Sequence, residues 1–246
     1  ARFALDRRLG IGGDQLLLVR PSRDADFSMA IRNADGSQAE MCANGIRAFT
    51  KYVRDKGLTR KDVIRVETLA GIVTPRWLGG DQVEVEMTRP VLEPAKIPTL
   101  LGGRAPLIDV PLEVGGERLC VCAVGMGNPH CVVFVDDPDA FPVERIGRLI
   151  EHHSAFPERV NVEFVGVRSR GELVQRTWGR GSGETLACGS GACAVGVAAV
   201  LSGRAERDVR IQLRGGVLRI RWPESDGPVY MTGPAAHVFD GELEWP

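Results

Sequence analysis

Two short stretches of the chain place a cysteine immediately before small residues and a predicted helix. They are MCANGIRAF (41–49) and ACGSGACAV (187–195). A cysteine at a helix N-terminus lies beside unpaired backbone N–H groups and the positive end of the helix dipole, and both lower the pKa of its thiol from about 8.5 toward neutrality. The same N–H groups bind carboxylates. Each stretch therefore indicates a base beside a carboxylate-binding site.

A pair of such thiols suits the inversion of an α-carbon. One sulfur removes the proton from one face of the carbon, and the other returns a proton to the opposite face. For any single cysteine a buried structural role is the more common alternative, but two in matching contexts favour chemistry. No lysine has the setting of a pyridoxal Schiff base, and LGIGGDQ (9–15) does not match the G-x-G-x-x-G nucleotide fingerprint. These motifs therefore indicate neither a pyridoxal nor a nucleotide cofactor.

The elements that would position these cysteines are mostly short strands punctuated by Gly and Pro. Alternating, β-branched runs predict strands at 15–19, 26–33, 63–68, 71–77, 82–88, 117–124, 130–135, 160–167, 172–178, 208–214, 217–222 and 228–233. Helices are predicted at 45–56, 143–153 and 190–202. The last is small and apolar nearly all round, which is typical of a helix buried inside a sheet.

The composition is that of an ordinary globular protein. Hydrophobic residues make up 43%, charged residues 26%, and the formal net charge is −1, so no basic surface argues for a nucleic-acid partner. There is no apolar run long enough to span a membrane and no secretory leader pattern. We therefore expect a cytoplasmic protein with reduced thiols.

The remaining cysteines show neither a disulfide framework nor the spacing of a metal site. The predicted packing residues are Cys120, Cys122, Cys131 and Cys193. Of these, the pair at 120 and 122 shares one face of an alternating strand. No metal site is predicted.

The order of elements is similar on either side of a proline cluster, TRPVLEPAKIP (88–98). Each side has strands, a cysteine-bearing turn, a central helix and more strands. This layout predicts an α+β fold of two similar domains related by duplication. We place the first domain at 1–88, with 235–246 returning to it, and the second at 89–234.

Five motifs together resemble the diaminopimelate epimerase family. They are GIGGDQLLLV, NADGSQAEMCANGIRAF, MGNPH, RVNVEFV and GRGSGETLACGSGACA, and they occur in the family's order over essentially the whole chain. The resemblance implies a cofactor-independent, two-thiol epimerase that interconverts LL- and meso-2,6-diaminopimelate in lysine and peptidoglycan-precursor synthesis. It also implies a homodimer, two domains that are each a barrel-like, mostly antiparallel sheet around a central helix, and an active site in the cleft between them.

The resemblance assigns roles to individual residues. Cys42 and Cys188 would be the acid/base thiols, and His130 would assist one of them. Residues expected to bind substrate fall into three groups: those that hold its distal amino-carboxylate end, those near the reacting centre, and those whose backbone receives the reacting carboxylate. They are Asn33, Asn128, Asn161 and Arg180; Gln15 and Asn44; and Gly189 and Ser190, with Ala43 at the matching position of the first block.

Three departures from the family pattern affect the predicted site. The family's opening strand and its M-x-G-x-G-N-D-F segment do not occur in the sequence, so we expect the first domain to lack its first strand. Gly179 stands where the family has a Glu that interacts with the substrate amine, and Ala43 stands where it has Gly. The fold prediction is unaffected, but the completeness of the site depends on these positions.

Three alternatives remain open at this level. A related racemase acting on another amino acid, such as histidine, would leave Arg180 unpaired. A catalytically impaired ligand-binding homologue is compatible with Gly179. A redox switch joining Cys42 to Cys188 is the third, because low-pKa thiols oxidise readily.

Overall fold

A computed structural model describes residues 1–244, and these divide into two compact units. The first comprises residues 1–86 with the C-terminal segment from 232, and the second comprises 87–231. The predicted domain limits at 88 and 234 stay a prediction.

Four α-helices and sixteen strands occur among the described residues, with a short 3-10 helix at Pro94–Lys96. The helices are α1 (Arg2–Leu5), α2 (Ala43–Asp55), α3 (Val143–Glu151) and α4 (Gly189–Leu201). The strands are β1 (Gln15–Arg20), β2 (Phe27–Asn33), β3 (Gln38–Ala39), β4 (Val66–Thr68), β5 (Gly71–Val73), β6 (Arg76–Gly79), β7 (Gln82–Glu86), β8 (Val110–Val114), β9 (Glu117–Gly125), β10 (Pro129–Phe134), β11 (Asn161–Ser169), β12 (Glu172–Gly179), β13 (Gly183–Thr185), β14 (Asp208–Leu213), β15 (Gly216–Arg221) and β16 (Tyr230–Pro234).

The first unit consists of a small sheet, a hairpin and one long helix. The sheet has the order β1-β2-β4-β5 with β3 on β2, and β6 and β7 form the hairpin. Helix α2 buries Ile46, Phe49 and Val53 while its other face stays polar, and it packs on β1, β6 and β7. The amphipathic face therefore fixes the rotation of α2 about its own axis, and with it the side of the helix on which the N-terminal cap residue lies.

The second unit has a larger mixed sheet with one helix on each face. The strand order is β15-β14-β12-β11-β10-β9-β8, with β13 paired to β12. Helix α3 packs Ile146 and Ile150 into the core that contains Val162 and Phe164 of β11. Because side chains alternate along a strand, Glu163 faces the opposite side of the sheet, toward α4. Nine residues of α4 are buried, as its all-round apolar sequence predicts.

Several predicted elements differ from the observed ones for identifiable reasons. The predicted strand 71–77 divides into β5 and β6 around Pro75, whose nitrogen has no hydrogen to donate to a ladder. The strand predicted at 63–68 is regular only over β4, with a single bridge at Val63. The pattern did not reveal α1, β3, β8 or β13.

The predicted packing role of Cys120 is wrong, because its side chain is exposed while Cys122 is buried. The buried position of Cys122 raises the pKa of its thiol to about 11. Cys131 is also buried, and burial with the nearby carboxylate of Glu163 raises its thiol pKa well above the ordinary value.

Candidate active site

Cys42 and Cys188 occupy the same structural position in their respective units. Each is the N-cap of a 13-residue helix, and each adopts an extended backbone with φ near −140°. The Sγ atom of Cys42 accepts a hydrogen bond from the N–H of Gly45 at 3.2 Å, and that of Cys188 accepts one from Gly191 at 3.3 Å. A sulfur thus replaces the usual side-chain oxygen as the cap of both helices.

The two helices also end in the same way. Gly57 and Gly203 follow the C-caps with φ of +67° and +72°. The next N–H, of Leu58 or Arg204, bonds back to the carbonyl of Val53 or Ala199. This six-to-one bond, with its accompanying five-to-two bond, is a Schellman motif. Matching starts, lengths and ends give each cysteine the same local frame.

Each helix start leaves backbone N–H groups without a partner inside the helix, because the first turn has no preceding carbonyls. In α2 these are the N–H groups of Ala43 and Asn44, and in α4 those of Gly189 and Ser190. The Ser190 hydroxyl also lies 3.5 Å from the Cys188 sulfur. Both helix starts are therefore suited to bind a carboxylate beside a thiol.

The predicted residues of the first unit lie in two groups. Gln15 and Asn33 are directly opposite each other on β1 and β2, and the Gln15 amide donates to the Asn33 Oδ1 at 3.0 Å. At the start of α2, the buried Arg47 donates to Asn44 Oδ1 at 2.6 Å and to the carbonyl of Ala43 at 3.2 Å. Arg47, which the sequence did not single out, braces the first turn behind Cys42.

In the second unit, Asn161 and Arg180 are connected through the backbone. The Asn161 Oδ1 accepts from the Arg180 N–H at 3.0 Å, and its amide donates to the carbonyl of Pro129 at 3.1 Å. The Arg180 side chain is exposed, with one contact to the carbonyl of Glu158 at 3.2 Å. Its guanidinium therefore remains accessible to an anionic ligand.

His130 is fully buried, and both of its ring nitrogens are engaged. Nε2 lies 2.9 Å from Asn128 Oδ1, and Nδ1 lies 2.9 Å from Oε1 of Glu163, a carboxylate that is itself fully buried. His130 and Asn128 are thus brought together as predicted residues, but assistance of a thiol by His130 stays a prediction.

Glu163 is the site-proximal residue that sequence reasoning missed. A charged residue in the otherwise apolar run VNVEFVGV (160–167) was the available signal, because a central strand rarely buries an acid without a partner. The partly buried Cys188 lies near this carboxylate. Desolvation first, and the charge of Glu163 second, raise the pKa of the Cys188 thiol above its ordinary value.

Gly179, at the position where the resemblance implies a Glu, is buried at the end of β12. A Cβ placed there would come too close to the hydroxyl of Ser182. A larger residue would therefore require the Ser182 side chain to rotate away. Within residues 1–244 no cluster of three metal-ligating side chains occurs.

Comparison with known proteins identifies the family. The family model described as diaminopimelate epimerase matches residues 1–93 and 122–238. The chain belongs to the diaminopimelate epimerase family. The diaminopimelate epimerase of Leptospira biflexa serovar Patoc is 50% identical over 97% of this chain and 87% of its own length. The diaminopimelate epimerase of Desulforudis audaxviator is 52% identical over 98% of this chain and 88% of its own length.

The predicted fold class and the predicted isomerase class are confirmed by this membership. A solved phenazine biosynthesis protein of the PhzF family from Bacillus anthracis has the same fold, with a TM-score of 0.70, covering 96% of this chain and 86% of its own. At 18% identity, that likeness concerns the fold alone. No helix among residues 1–244 is long and apolar enough to cross a membrane.

Proposed function

We propose that the chain interconverts LL- and meso-2,6-diaminopimelate by transferring the α-proton between the thiols of Cys42 and Cys188, without pyridoxal phosphate. The observation that carries the proposal is the matched pair of cysteine-capped helices, one in each unit, in a member of this family. The reaction supplies precursors for lysine and peptidoglycan.

Proton transfer in this scheme is balanced between the two sulfurs. The thiolate on one face forms an S–H bond as the α-C–H bond breaks, and the electron pair remains on the α-carbon. The thiol on the other face then loses its proton as a new C–H bond forms with inverted configuration. The two sulfurs end with exchanged protonation states, so the reverse reaction uses the same groups in opposite roles.

The carbanion needs stabilisation because an amino-acid α-hydrogen is a very weak acid. The N–H groups of Gly189 and Ser190, and those of Ala43 and Asn44, are candidate donors for the charge that grows on the substrate carboxylate. Preorganised donors of this kind are a large contribution to catalysis in a dry site.

The distal end of the substrate carries a second carboxylate and ammonium. Arg180 would bind the carboxylate in a bidentate manner, and the amide oxygens of Asn33, Asn128 and Asn161 would accept from the ammonium. Gln15 would act close to the reacting centre with Asn44, and His130 would assist a thiol from the Asn128 side. A substrate without the distal carboxylate would leave Arg180 without its anionic partner.

We further propose a cytoplasmic homodimer with domains at 1–88 and 89–234, with residues 235–246 returning to the first; residues 245 and 246 lie outside the described residues. Neither a nucleic acid nor a membrane is a proposed partner. The composition, with a net charge of −1 and no basic cluster, supports the absence of a nucleic-acid role.

The decisive assay supplies LL-diaminopimelate under reducing conditions and measures formation of the meso isomer. Meso product at a catalytic rate, and none from L-histidine, is the expected result. Faster racemisation of histidine would instead indicate the related racemase. Binding of diaminopimelate without any product would indicate a ligand-binding homologue and would contradict the proposal.

A further inference from the structure

A buried carboxylate lies beneath the first turn of α4. Glu163 is on the central strand β11 with no exposed surface, on the face turned toward the helix. A Cβ placed on Gly191 would come 2.5 Å from Oε1 of Glu163 and 3.2 Å from Cβ of Cys188. The carboxylate and the thiol therefore flank the same glycine, and only glycine leaves room for both.

The two oxygens of this carboxylate have different environments. Oε1 lies 2.9 Å from His130 Nδ1. The opposite ring nitrogen, Nε2, lies 2.9 Å from Asn128 Oδ1, so contacts at both ring nitrogens hold the ring in place. Oε2 is buried and has no hydrogen-bond partner among the described residues. Burying a carboxylate with one oxygen lacking a hydrogen bond costs free energy. This cost argues that Glu163 is retained for its charge.

A second orphaned acceptor lies on the same sheet face. Gln175 Oε1 is buried and has no hydrogen-bond partner within residues 1–244, while its amide donates to Thr177 at 2.9 Å. Thr177 is the register partner of Glu163 on β12. Among the described residues, β12 thus presents neutral polar side chains on the face of the sheet that carries Glu163.

The equivalent position in the first unit is apolar. A Cβ on Gly45, the counterpart of Gly191, would come 3.2 Å from Cβ of Cys42 and 3.1 Å from the side chain of Leu17. Leu17 therefore takes the place at α2 that Glu163 takes at α4. The two cysteine-capped helices match in backbone and differ in charge at one contact.

We propose that Glu163 is a positioning residue for Cys188, and that its carboxylate keeps this sulfur in the protonated form. This deepens the proposed function, in which Cys188 is one of two acid/base thiols. Loss of the proton would place a thiolate beside a like charge in a poorly solvated site, which is unfavourable. The raised pKa of the Cys188 thiol agrees with this geometry.

Among the described side chains around α4, His130 is the titratable group that pairs with the Glu163 carboxylate. On this face of the sheet, β10 contributes His130, β9 contributes Cys122, and β12 contributes neutral Gln175 and Thr177, while α4 itself contributes Cys193. Cys131 lies on the opposite face, in the core against α3. Strand β15 presents Ile220 to the helix at Gly196. The charge that Cys188 meets from the sheet is therefore that of the Glu163–His130 pair, with the carboxylate the nearer partner at Gly191.

Thiol alkylation tests the proposal without any substrate or turnover. The parent is Cys42→Ala, which removes coupling to the second proposed thiol. Iodoacetamide labelling of Cys188 is followed against pH by peptide mass spectrometry in the parent, in Glu163→Gln and in Glu151→Gln. Glu151 is a matched control, because its carboxylate is also buried in this unit but is held by Trp178 and the N–H of Gly181.

In the parent we expect a labelling midpoint above the ordinary thiol value of about 8.5. Glu163→Gln should lower it by roughly one unit, giving about tenfold faster labelling at pH values below both midpoints. Glu151→Gln should match the parent. A parent midpoint at or below the ordinary value, or equal profiles in all three proteins, would overturn the proposal.

A further variant is used if Glu163→Gln does not fold. Glu163→Asp retains the charge, so its midpoint should stay above the ordinary value, and a fall to that value would contradict the proposal. None of these outcomes depends on epimerisation. Failure of the proposed function would appear as absent meso product with the Cys188 profile intact, so the two failures are distinguishable.

Discussion

At the scale of single residues, the chemistry concentrates on two sulfur atoms that cap helices. Each accepts one backbone N–H, and each precedes two further donors that the helix leaves unpaired. The remaining cysteines differ in position, since Cys122, Cys131 and Cys193 are buried, Cys120 is exposed, and none of them caps a helix among the described residues. Position at a helix start, rather than the presence of a thiol, thus separates the candidate acid/base residues from the others.

Replacing either capping cysteine by alanine should remove epimerisation. Because each sulfur transfers one proton per turnover in the proposed scheme, we expect Cys42→Ala and Cys188→Ala each to lower kcat by at least about 10²- to 10⁴-fold. The measurement is the rate of meso formation from LL-diaminopimelate.

Cys120→Ala is the matched control for these variants. Cys120 is exposed on β9 and caps no helix, so its removal should leave the rate unchanged. A normal rate in either capping variant would argue against a role for that sulfur.

At the scale of elements, the two cysteine-capped helices are defined at both ends by local sequence. The cysteine cap starts each helix, and a glycine with positive φ ends it. These signals are short-range, so the sequence predicted both helices within two residues of their observed bounds. Strand β5 and strand β6 were merged in the prediction, because alternation continues through Thr74 and Pro75 although the hydrogen-bond ladder does not.

The glycine that ends each helix should contribute measurably to stability. Gly57→Ala and Gly203→Ala place a side chain in the left-handed region, which costs about 1–2 kcal/mol. Neither position has an atom within 4 Å of the added Cβ, so backbone conformation is the main cause. Chemical denaturation measures the change in the free energy of unfolding.

Gly171→Ala is the control for that effect. Gly171 also has open space around it but no positive φ, so the same methyl should change stability little. Equal losses at all three glycines would show that the Schellman ends are not responsible.

At the scale of the whole molecule, the sequence could predict the class of fold and the pairing of like units but not the buried polar contacts. The α+β class followed from strand alternation and from one all-apolar helix. The Glu163–His130 pair did not follow, because its partners are 33 positions apart and meet only through the register of β10 and β11. The contacts of Arg47 at the start of α2 are instead local, to residues three and four positions earlier, and helix periodicity could have indicated them.

Acid should destabilise the protein through carboxylates that are paired in the folded state. Arg176 holds the pKa of Glu184 below its ordinary value of 4.5, chiefly through a side-chain hydrogen bond. The depressed folded pKa means that the stabilisation is present above the unfolded pKa and is lost as pH falls through the folded one. The Tm advantage of the natural protein over Glu184→Gln should therefore be full at pH 7 and decline below about 4.5.

Glu113→Gln is a suitable comparison for the acid experiment. Glu113 is exposed, and its ion-pair contact to Arg118 is long at 4.0 Å, so its removal should alter Tm little at any pH. A Tm advantage of the natural protein over Glu184→Gln that grows as the pH falls would contradict the lowered pKa of Glu184 in the folded state.

The central claim is that two different sulfurs handle the proton on the two faces of one carbon. Initial-rate epimerisation of LL-diaminopimelate in deuterium oxide tests it most directly. Two separate acid/base groups predict deuterium at the inverted α-carbon of the meso product and none in the recovered LL substrate, because the thiol that removed the proton returns it on reversal. Deuterium entering recovered substrate as fast as product, or protium retained in the product, would contradict the account.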